Sequence, residues 1–374
     1  MQKIIHLLLG KANPERMNGV NRVVFSLATV QQEQNCDVEV WGITYSPRNA
    51  NYGNRMFKTH LFKASKNKLM MNSDLKDAIS LLPANTVFHL HGAFIPEFIQ
   101  ISVFLNQQGI PYVITPHGAY NAPAMRKNRL IKKIYMRLFE ARILKRARYV
   151  QLLGENEAKD TLALVPGISS RLIPNGEFVN KQNLYVKRCE PVSPVVFGYM
   201  GRLNSFHKGL DLLLEGFAIY KHKYSGKGKL YLIGDGADAK ILQDTAVHYG
   251  INQSVVFWGK KYGEVKNALL DQLDVFYHTS RFEGIPTAVI ETSNRGIPCV
   301  VSKGTNLLNY VKDFHAGESL DINSPEFIAR SMLKMQILKS NKSLPRLSDN
   351  TFRMIQQAFD WKVISKQLIN LYES

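Results

Sequence analysis

Residues 274–304 constrain this chain more than any other stretch, because they spell out a strand, a turn, a helix and a second strand in one short run. Val275, Phe276 and Tyr277 form an apolar run too short for a buried helix. Residues 281–286 make a polar, charged turn, and residues 287–295 have helical spacing. Gly296-Ile297-Pro298 then leads into a second apolar run, from Cys299 to Ser302. Two buried strands joined through a helix run parallel, and open parallel sheets take their ligands outside the carboxyl ends of the strands. The turn at 281–286 falls at such an end. It carries Glu283, and Glu291 follows about two turns into the helix, so both carboxylates can face one side. The first amides of the helix, around Ile285 to Ala288, have no partner inside it and sit at its positive end, which suits a phosphate. The carboxylates suit sugar or ribose hydroxyls. Taken alone, the two glutamates read equally as a loop anion and a solvated helix face.

The same alternation runs through both halves of the chain. In the first half a strand at 3–9, a turn at Asn18-Gly19-Val20, a helix at 21–34 and a strand at 37–43 make a Rossmann-like start without a G-x-G-x-x-G fingerprint. Gly19 is either a simple strand-to-helix turn or a place where backbone approaches a phosphate or an acceptor. Residues 48–76 are basic and weakly patterned. Strands at 86–92 and 112–118 each close on a His-Gly pair, which puts His91 and His117 at the sheet edge where ligands gather, although a lone histidine is more often structural. A strand at 149–153, a helix at 155–164, a turn at 172–176 and a polar, proline-containing linker at 181–194 complete this half. The second half restarts with a strand at 195–200, then Gly201-Arg202-Leu203, then Lys208-Gly209-Leu210-Asp211 leading into a helix at 212–220. Arg202 and Lys208 are two cations beside free amides, a place to hold a diphosphate. Gly234-Asp235-Gly236 ends the next strand and reads as a tight turn beneath a nucleotide. Beyond Phe314 the pattern weakens to helices, the last at about 352–372.

At 374 residues the chain is long enough for two full cores, and its 45% hydrophobic and 21% charged content is that of a globular protein. No apolar run approaches the roughly 20 residues needed to cross a bilayer. The start, Met1-Gln2-Lys3 and then apolar residues to Leu9, is too short for a signal peptide and reads as a buried strand. Cys36, Cys189 and Cys299 are scattered without metal spacing, which suggests a reducing compartment. The net charge of +18 suits an anionic partner, and residues 126–148 concentrate it, with ten basic residues against Glu140 alone. Leu130, Ile131, Ile134, Tyr135, Leu138, Phe139 and Ile143 recur there at helical spacing. That segment fits a core helix with a solvated basic face, or a surface resting on anionic lipid headgroups.

Glu283 to Glu291, reading Glu-Gly-Ile-Pro-Thr-Ala-Val-Ile-Glu, with Gly296-Ile297-Pro298-Cys299-Val300-Val301 after it, resembles the E-x7-E region of retaining glycosyltransferases of family four, the glycosyl transferases group 1. Thr292 stands where that family usually has Ala. The turn at Gly19 is similar to the family's GGV-E-R turn, with Asn18 for the first Gly and Asn21 for the Glu. Pro116-His117-Gly118 resembles its amino-domain histidine segment. Ile173-Pro174-Asn175-Gly176 resembles its turn before the interdomain linker, with Phe178-Val179 in place of a frequent Val-Asp. G-R-L at Arg202 and K-G-L-D at Lys208 match in residues and spacing. The resemblance covers essentially the whole chain and is strongest over 172–304.

The resemblance implies an α/β chain of two Rossmann-like domains facing across a cleft, the GT-B fold. Residues 1–185 would form the acceptor-side domain, 190–354 the donor-binding domain, and a helix at about 355–374 would cross back to the first. It implies transfer of a hexose-type sugar from a nucleoside-diphosphate sugar to an acceptor hydroxyl with retention at the anomeric carbon. Arg202 and Lys208 would hold the diphosphate, helped by the turn Gly284-Ile285-Pro286-Thr287. Glu291 would bind the ribose, Glu283 a donor-sugar hydroxyl, and His117 the sugar from the other domain. Gly19 and Gly234 would line the donor, with His91 and Arg126 on the acceptor side. Both glutamates are expected to bind rather than to act as a glycosidase pair. No D-x-D sequence has the context of a nucleotide-sugar metal site, so neither metal nor other cofactor is expected. The expected acceptor is a saccharide, or a polyprenyl-linked oligosaccharide of bacterial O-antigen or capsule assembly. The protein is expected in the cytoplasm, resting through 126–148 on the anionic inner face of the plasma membrane. A same-fold nucleotide-sugar epimerase or phosphorylase is the alternative enzyme. A nucleic-acid-binding protein would explain the charge, but no recognition motif is present and nucleic acid is not expected as a partner.

Overall fold

Apolar runs separated by helices satisfy their backbone groups most simply as parallel strands, and the chain forms two such sheets. The computed structural model describes residues 2–13, 19–47, 55–126, 128–179 and 194–374. Asn18, Lys127, Cys189 and nearly all of the expected linker lie outside the described residues. Cys36 and Cys299 are free thiols.

The first unit, Met1–Gly176 with Trp361–Ser374, holds seven strands: β1 (Lys3–Leu9), β2 (Asp37–Thr44), β3 (Lys58–Lys63), β4 (Thr86–His91), β5 (Tyr112–Thr115), β6 (Tyr149–Leu152) and β7 (Ser170–Leu172). They pair in parallel in the order β3-β2-β1-β4-β5-β6-β7. The second unit, Glu177–Asp360, holds β8 (Val196–Met200), β9 (Lys229–Ile233), β10 (Val255–Gly259), β11 (Val275–His278), β12 (Cys299–Ser302) and β13 (Gly317–Leu320). These are also parallel, in the order β10-β9-β8-β11-β12-β13. Helices cover both faces of each sheet, so central strands such as β4, β5, β11 and β12 are buried along their whole length. In the first unit one face packs Phe88, Ile101 and Tyr112, and the other packs Val24, Val113 and Leu368. In the second, Phe197, Leu213 and Phe217 fill one face, and Val289, Val301 and Phe359 the other.

In each sheet the strand order reverses once, between β1 and β4 and between β8 and β11. The exits of these neighbouring strands diverge there and leave a crevice at the carboxyl ends, the standard ligand position of open parallel sheets. His91 ends β4, and His278 ends β11.

Four local readings of the sequence change. Gly19 is the first residue of the helix Gly19–Glu33, not a turn, and a Cβ there would meet nothing within 4 Å. The weakly patterned stretch at 48–76 contains β3, an edge strand with only Phe62 buried, so it lacks the continuous apolar run of a central strand. β13, in the part read as helical, is a four-residue strand with only Leu320 buried. The expected single helix at 352–372 is two. Leu344–Met354 continues through a π turn at Ile355–Phe359, Asp360 breaks it with φ −64° and ψ 128°, and Trp361–Glu373 begins anew. Phe359 and Trp361 flank the break with large apolar side chains, so the spacing carries no sign of it. The chain passes between units at Gly176/Glu177 and at Asp360/Trp361, and Phe178 is already tied to the second unit by Asn294, whose Nδ2 donates to its carbonyl at 2.7 Å.

The terminal helix is integral to the first unit's core. Leu368→Ala is expected to lower that unit's unfolding free energy by about 2–5 kcal/mol, the usual cost of removing a buried leucine side chain, and urea unfolding followed by tryptophan fluorescence measures it.

Candidate functional site

The crevice of the second unit gathers the residues that leave β8 and β11. Beyond β8 come Gly201, the exposed Arg202 and then Lys208; beyond β11 come Thr279, Arg281 and Glu283. Lys208 Nζ forms an ion pair with Glu283 Oε2, and His278 Nε2 lies 3.6 Å from the same oxygen. The glutamate turn is held by its own backbone: Glu283 N–H donates to Gly304 O at 2.8 Å, and Asn306 Nδ2 donates to Glu283 O at 2.9 Å. Lys208 is held from the other side. Arg281 forks onto Asp211 with bonds of 2.8 and 2.7 Å and donates to Phe206 O at 2.7 Å. Thr279 Oγ1 donates to Gly209 O at 2.9 Å. Gly209 has φ 63°, and a Cβ on it would stand 2.0 Å from Thr279 O, so both conformation and space demand glycine.

Burial by itself would raise the Glu283 carboxyl. The facing His278 and the Lys208 ammonium outweigh it and hold the pKa at about 2. His278 is 2% exposed, stacks on Tyr199 at 5.7 Å, and is kept below the ordinary imidazole range by burial despite the carboxylate. Gly234 and Gly236 let their loop lie on the one after β8: a Cβ would fall 1.9 Å from Gly201 O in the first case and 2.3 Å from Leu203 O in the second. After Gly284, Ile285 and Pro286 the helix Thr287–Ser293 starts with no side-chain cap, and the N–H groups of Thr287 and Ala288 take no hydrogen bond among the described residues. Glu291 does not share Glu283's partner; it is ion-paired with Lys266. Arg202, Lys208, open amides and a carboxylate fixed as an anion form a place where an arriving phosphate can take Lys208 over from Glu283. His278, Thr279 and Arg281 escaped the sequence reading, though a histidine closing an apolar strand is the signal that had marked His91 and His117.

The first unit's crevice is built differently. His6 Nδ1 lies 2.9 Å from His91 Nε2, and His91 Nδ1 lies 3.1 Å from His117 Nε2, while His6 Nε2 lies 2.7 Å from Gln31 Oε1. A carbonyl oxygen only accepts, so His6 carries its proton on Nε2 and its Nδ1 accepts. His91 must then donate from Nε2 and accept at Nδ1, and His117 must donate from Nε2. The chain therefore leaves the outer Nδ1 of His117 as a lone pair. Gln31 Nε2 has no partner among the described residues. His89 is ordered by the same logic. Thr115 Oγ1 donates to Gln151 Oε1 at 2.6 Å, so it accepts from His89 Nε2, and His89 Nδ1 accepts from Tyr372 OH at 2.7 Å. His117 and Gly118 both have positive φ, 53° and 80°, and Glu157 pins their turn by accepting from Gly118 N–H at 2.6 Å and Leu153 N–H at 2.9 Å. Ligand atoms of His6, His89 and His91 lie within 4.8 Å of one another. All six of their ring nitrogens are already hydrogen-bonded, so a cation could bind only by breaking that network. Gly19 and Arg126 stand outside this chain; Arg126 lines a separate cavity.

Residues 181–354 match the family model described as Glycosyl transferases group 1, and residues 17–176 match Glycosyltransferase Family 4. A Salmonella typhimurium lipopolysaccharide 1,6-galactosyltransferase is 29% identical over 38% of this chain and 42% of its own length. An Escherichia coli UDP-Gal:alpha-D-GlcNAc-diphosphoundecaprenol alpha-1,3-galactosyltransferase is 24% identical over 67% of this chain and 66% of its own. The chain spans half or less of the length of the first curated relatives it matches, 42%, 44% and 50%. Among solved structures, Anabaena HepE in complex with UDP aligns over 99% of both chains with TM-score 0.72 and 14% identity. A lipopolysaccharide outer core galactosyltransferase aligns over 99% of this chain and 98% of its own, with TM-score 0.70 and 17% identity.

Two outcomes follow from this geometry. Burial holds His6 and His117 at about 4 and His89 and His91 well below the usual value, whereas unfolded histidines titrate near 6.5. The unfolded chain binds more protons in that interval, so stability is full above about pH 6.5 and falls as the pH drops towards 4. Urea midpoints at several pH values test this, and long-range 1H–15N spectra should report neutral, Nε2-protonated His117 above about pH 6.5, where an unfolded histidine begins to charge. Gly209→Ala is expected to cost about 1–3 kcal/mol from backbone strain, with more from the clash at Thr279 O; thermal unfolding measures it.

Proposed function

Because the chain belongs to the glycosyl transferases group 1 family, we propose that it moves a hexose-type sugar from a nucleoside-diphosphate sugar to an acceptor hydroxyl, with retention at the anomeric carbon. The observation that carries this reading is the Lys208–Glu283 pair at the β8/β11 crevice, with Arg202 exposed just beyond the end of β8. In the proposed reaction the diphosphate takes Lys208 and Arg202 as fixed cations, which stabilise the negative charge that grows on it as the sugar leaves. The amides of Thr287 and Ala288 add donors on the same anion. Glu283, released from Lys208 and still ionised, accepts from a hydroxyl of the donor sugar. Glu291 takes the ribose hydroxyls, and His117 offers its Nδ1 lone pair to a hydroxyl of the sugar. The two cations supply the charge compensation that a divalent ion would otherwise bring, and transfer is proposed to need no metal.

The acceptor is proposed to be a lipid-linked oligosaccharide of bacterial surface-polysaccharide assembly, met on the inner face of the plasma membrane. No described helix is long and apolar enough to cross a membrane. Surface contact is supported by the basic segment. Leu130, Ile131, Ile134 and Leu138 are 72%, 70%, 53% and 48% exposed, so this part of the stripe does not pack into a core. Aliphatic side chains at the surface among Arg129, Lys133 and Arg137 match an interfacial helix.

Thermal unfolding with a panel of nucleoside diphosphates and their sugars tests the donor half. A nucleotide at about 100 times its dissociation constant should stabilise the chain by roughly 2.7 kcal/mol, and Lys208→Ala should abolish that shift while folding normally. Sugar transfer by Glu283→Ala at the unaltered rate would refute the assignment of Glu283.

A further inference from the structure

One cavity of the first unit is used by nothing described so far. It measures about 430 Å³ and is lined by Arg126, Arg129, Lys133 and Asp160 over an apolar floor that includes Tyr120 and Leu164. That volume is in the range of small-molecule sites. Its electrostatics are one-sided. Asp160 already accepts from Ala122 N–H at 2.7 Å, and no carboxylate is ion-paired with Arg126, Arg129 or Lys133 among the described residues. Arg129 and Lys133 are four positions apart on one helix, Arg129–Tyr135, so they face one way, and Arg126, at the end of the preceding helix Ala122–Arg126, lines the same cavity. Lys132, one position off that face, is turned elsewhere, with Nζ donating to Ala124 O at 2.7 Å. The next face of the same helix, Arg129–Tyr135, carries the exposed Leu130, Ile131 and Ile134. Three convergent cations in a half-apolar hollow, bordered by aliphatic side chains directed at solvent, complement a molecule with a compact polyanionic head and a hydrocarbon tail.

We infer that this cavity seats the diphosphate of a polyprenyl-type lipid-linked acceptor; this rests on the transferase reading and names the part of the acceptor that the first unit grips. Arg126 and Arg129 bind the phosphate oxygens as forks, and Lys133 completes the charge. Leu130, Ile131 and Ile134 lie with the tail at the level where a bilayer begins, so the cations meet the phosphates at headgroup depth. A monophosphate lipid with the same surface charge density satisfies fewer of these donors and is held less tightly.

The test compares neutral phosphatidylcholine vesicles doped with undecaprenyl diphosphate against vesicles doped with phosphatidylglycerol to the same surface charge. The full-length protein is expected to bind the diphosphate vesicles about tenfold tighter or more, the scale of one lost charge-assisted contact. In Arg129→Ser/Lys133→Ser the preference should collapse. In Leu130→Ser/Ile134→Ser binding to both vesicles should weaken while the preference stays. Equal binding of the wild type to both vesicles overturns the inference and makes the face a general contact for anionic lipid. The nucleotide-induced stability shift is read on the same preparations. A normal shift without diphosphate preference sinks the cavity assignment alone, and diphosphate preference without any nucleotide shift sinks the transferase reading.

Discussion

A parallel sheet covered by helices on both faces leaves nowhere inside for an unpaired charge, and the placement of chemistry in both units follows from that. Strand interiors are apolar or internally paired, as Glu39 within β2 is with Lys3, and at the two crevices ionised groups appear where strands end. In the second unit the constraint acts simply: β8 and β11 are apolar up to their last residues, and Arg202, Lys208 and Glu283 come just beyond. In the first unit it is met in a less usual way. His6 and His89 lie within strands at 0% exposure, and they persist there because each ring is neutral and both its nitrogens are bonded. One acceptor oxygen, on Gln31, orders the protons of three successive rings.

The second unit meets the cost of a half-buried carboxylate with a partner that can leave. Without Lys208 and His278, Glu283 would face the desolvation penalty of an unpaired anion. An incoming phosphate competes for the same ammonium, so donor binding and the freeing of Glu283 are coupled in the proposed transfer. The Arg281–Asp211 fork and the Thr279–Gly209 bond fix the backbone beneath this exchange.

Much of this was legible from residue order. The central strands, their helices and the β11–β12 unit announce themselves because burial on both sides demands unbroken apolar runs. β3 and β13 were hidden because strands of which a single residue is buried need no such run. The split near Asp360 was hidden because apolar side chains on both sides of it pack into different units, which spacing cannot distinguish. Arg202, Lys208 and Glu283 in the second unit's crevice and His117 in the first unit's could be named because each stands beside a strand end or a glycine turn. The pairing of Glu283 with Lys208 and of Glu291 with Lys266 could not, since two carboxylates eight positions apart look equivalent until their neighbours are in place. Gln31 and His6 are invisible to any local pattern, because their role exists only across neighbouring elements.

The basic segment contains one more break in regularity, a π turn at Met136–Glu140 between the helices Arg129–Tyr135 and Ala141–Arg146. A π turn accommodates one residue more than an α-helical turn, which rotates everything after it by on the order of 100° relative to what precedes it. Before the turn Leu130, Ile131 and Ile134 face water; after it Ile143 and Leu144 are buried at 2% and 0% exposure. A single apolar periodicity is thereby divided between two environments without interrupting the rod. The half that anchors and the half that is displayed are out of phase by one residue, and that offset allows a greasy, cationic surface to be carried on a helix firmly rooted in its own domain.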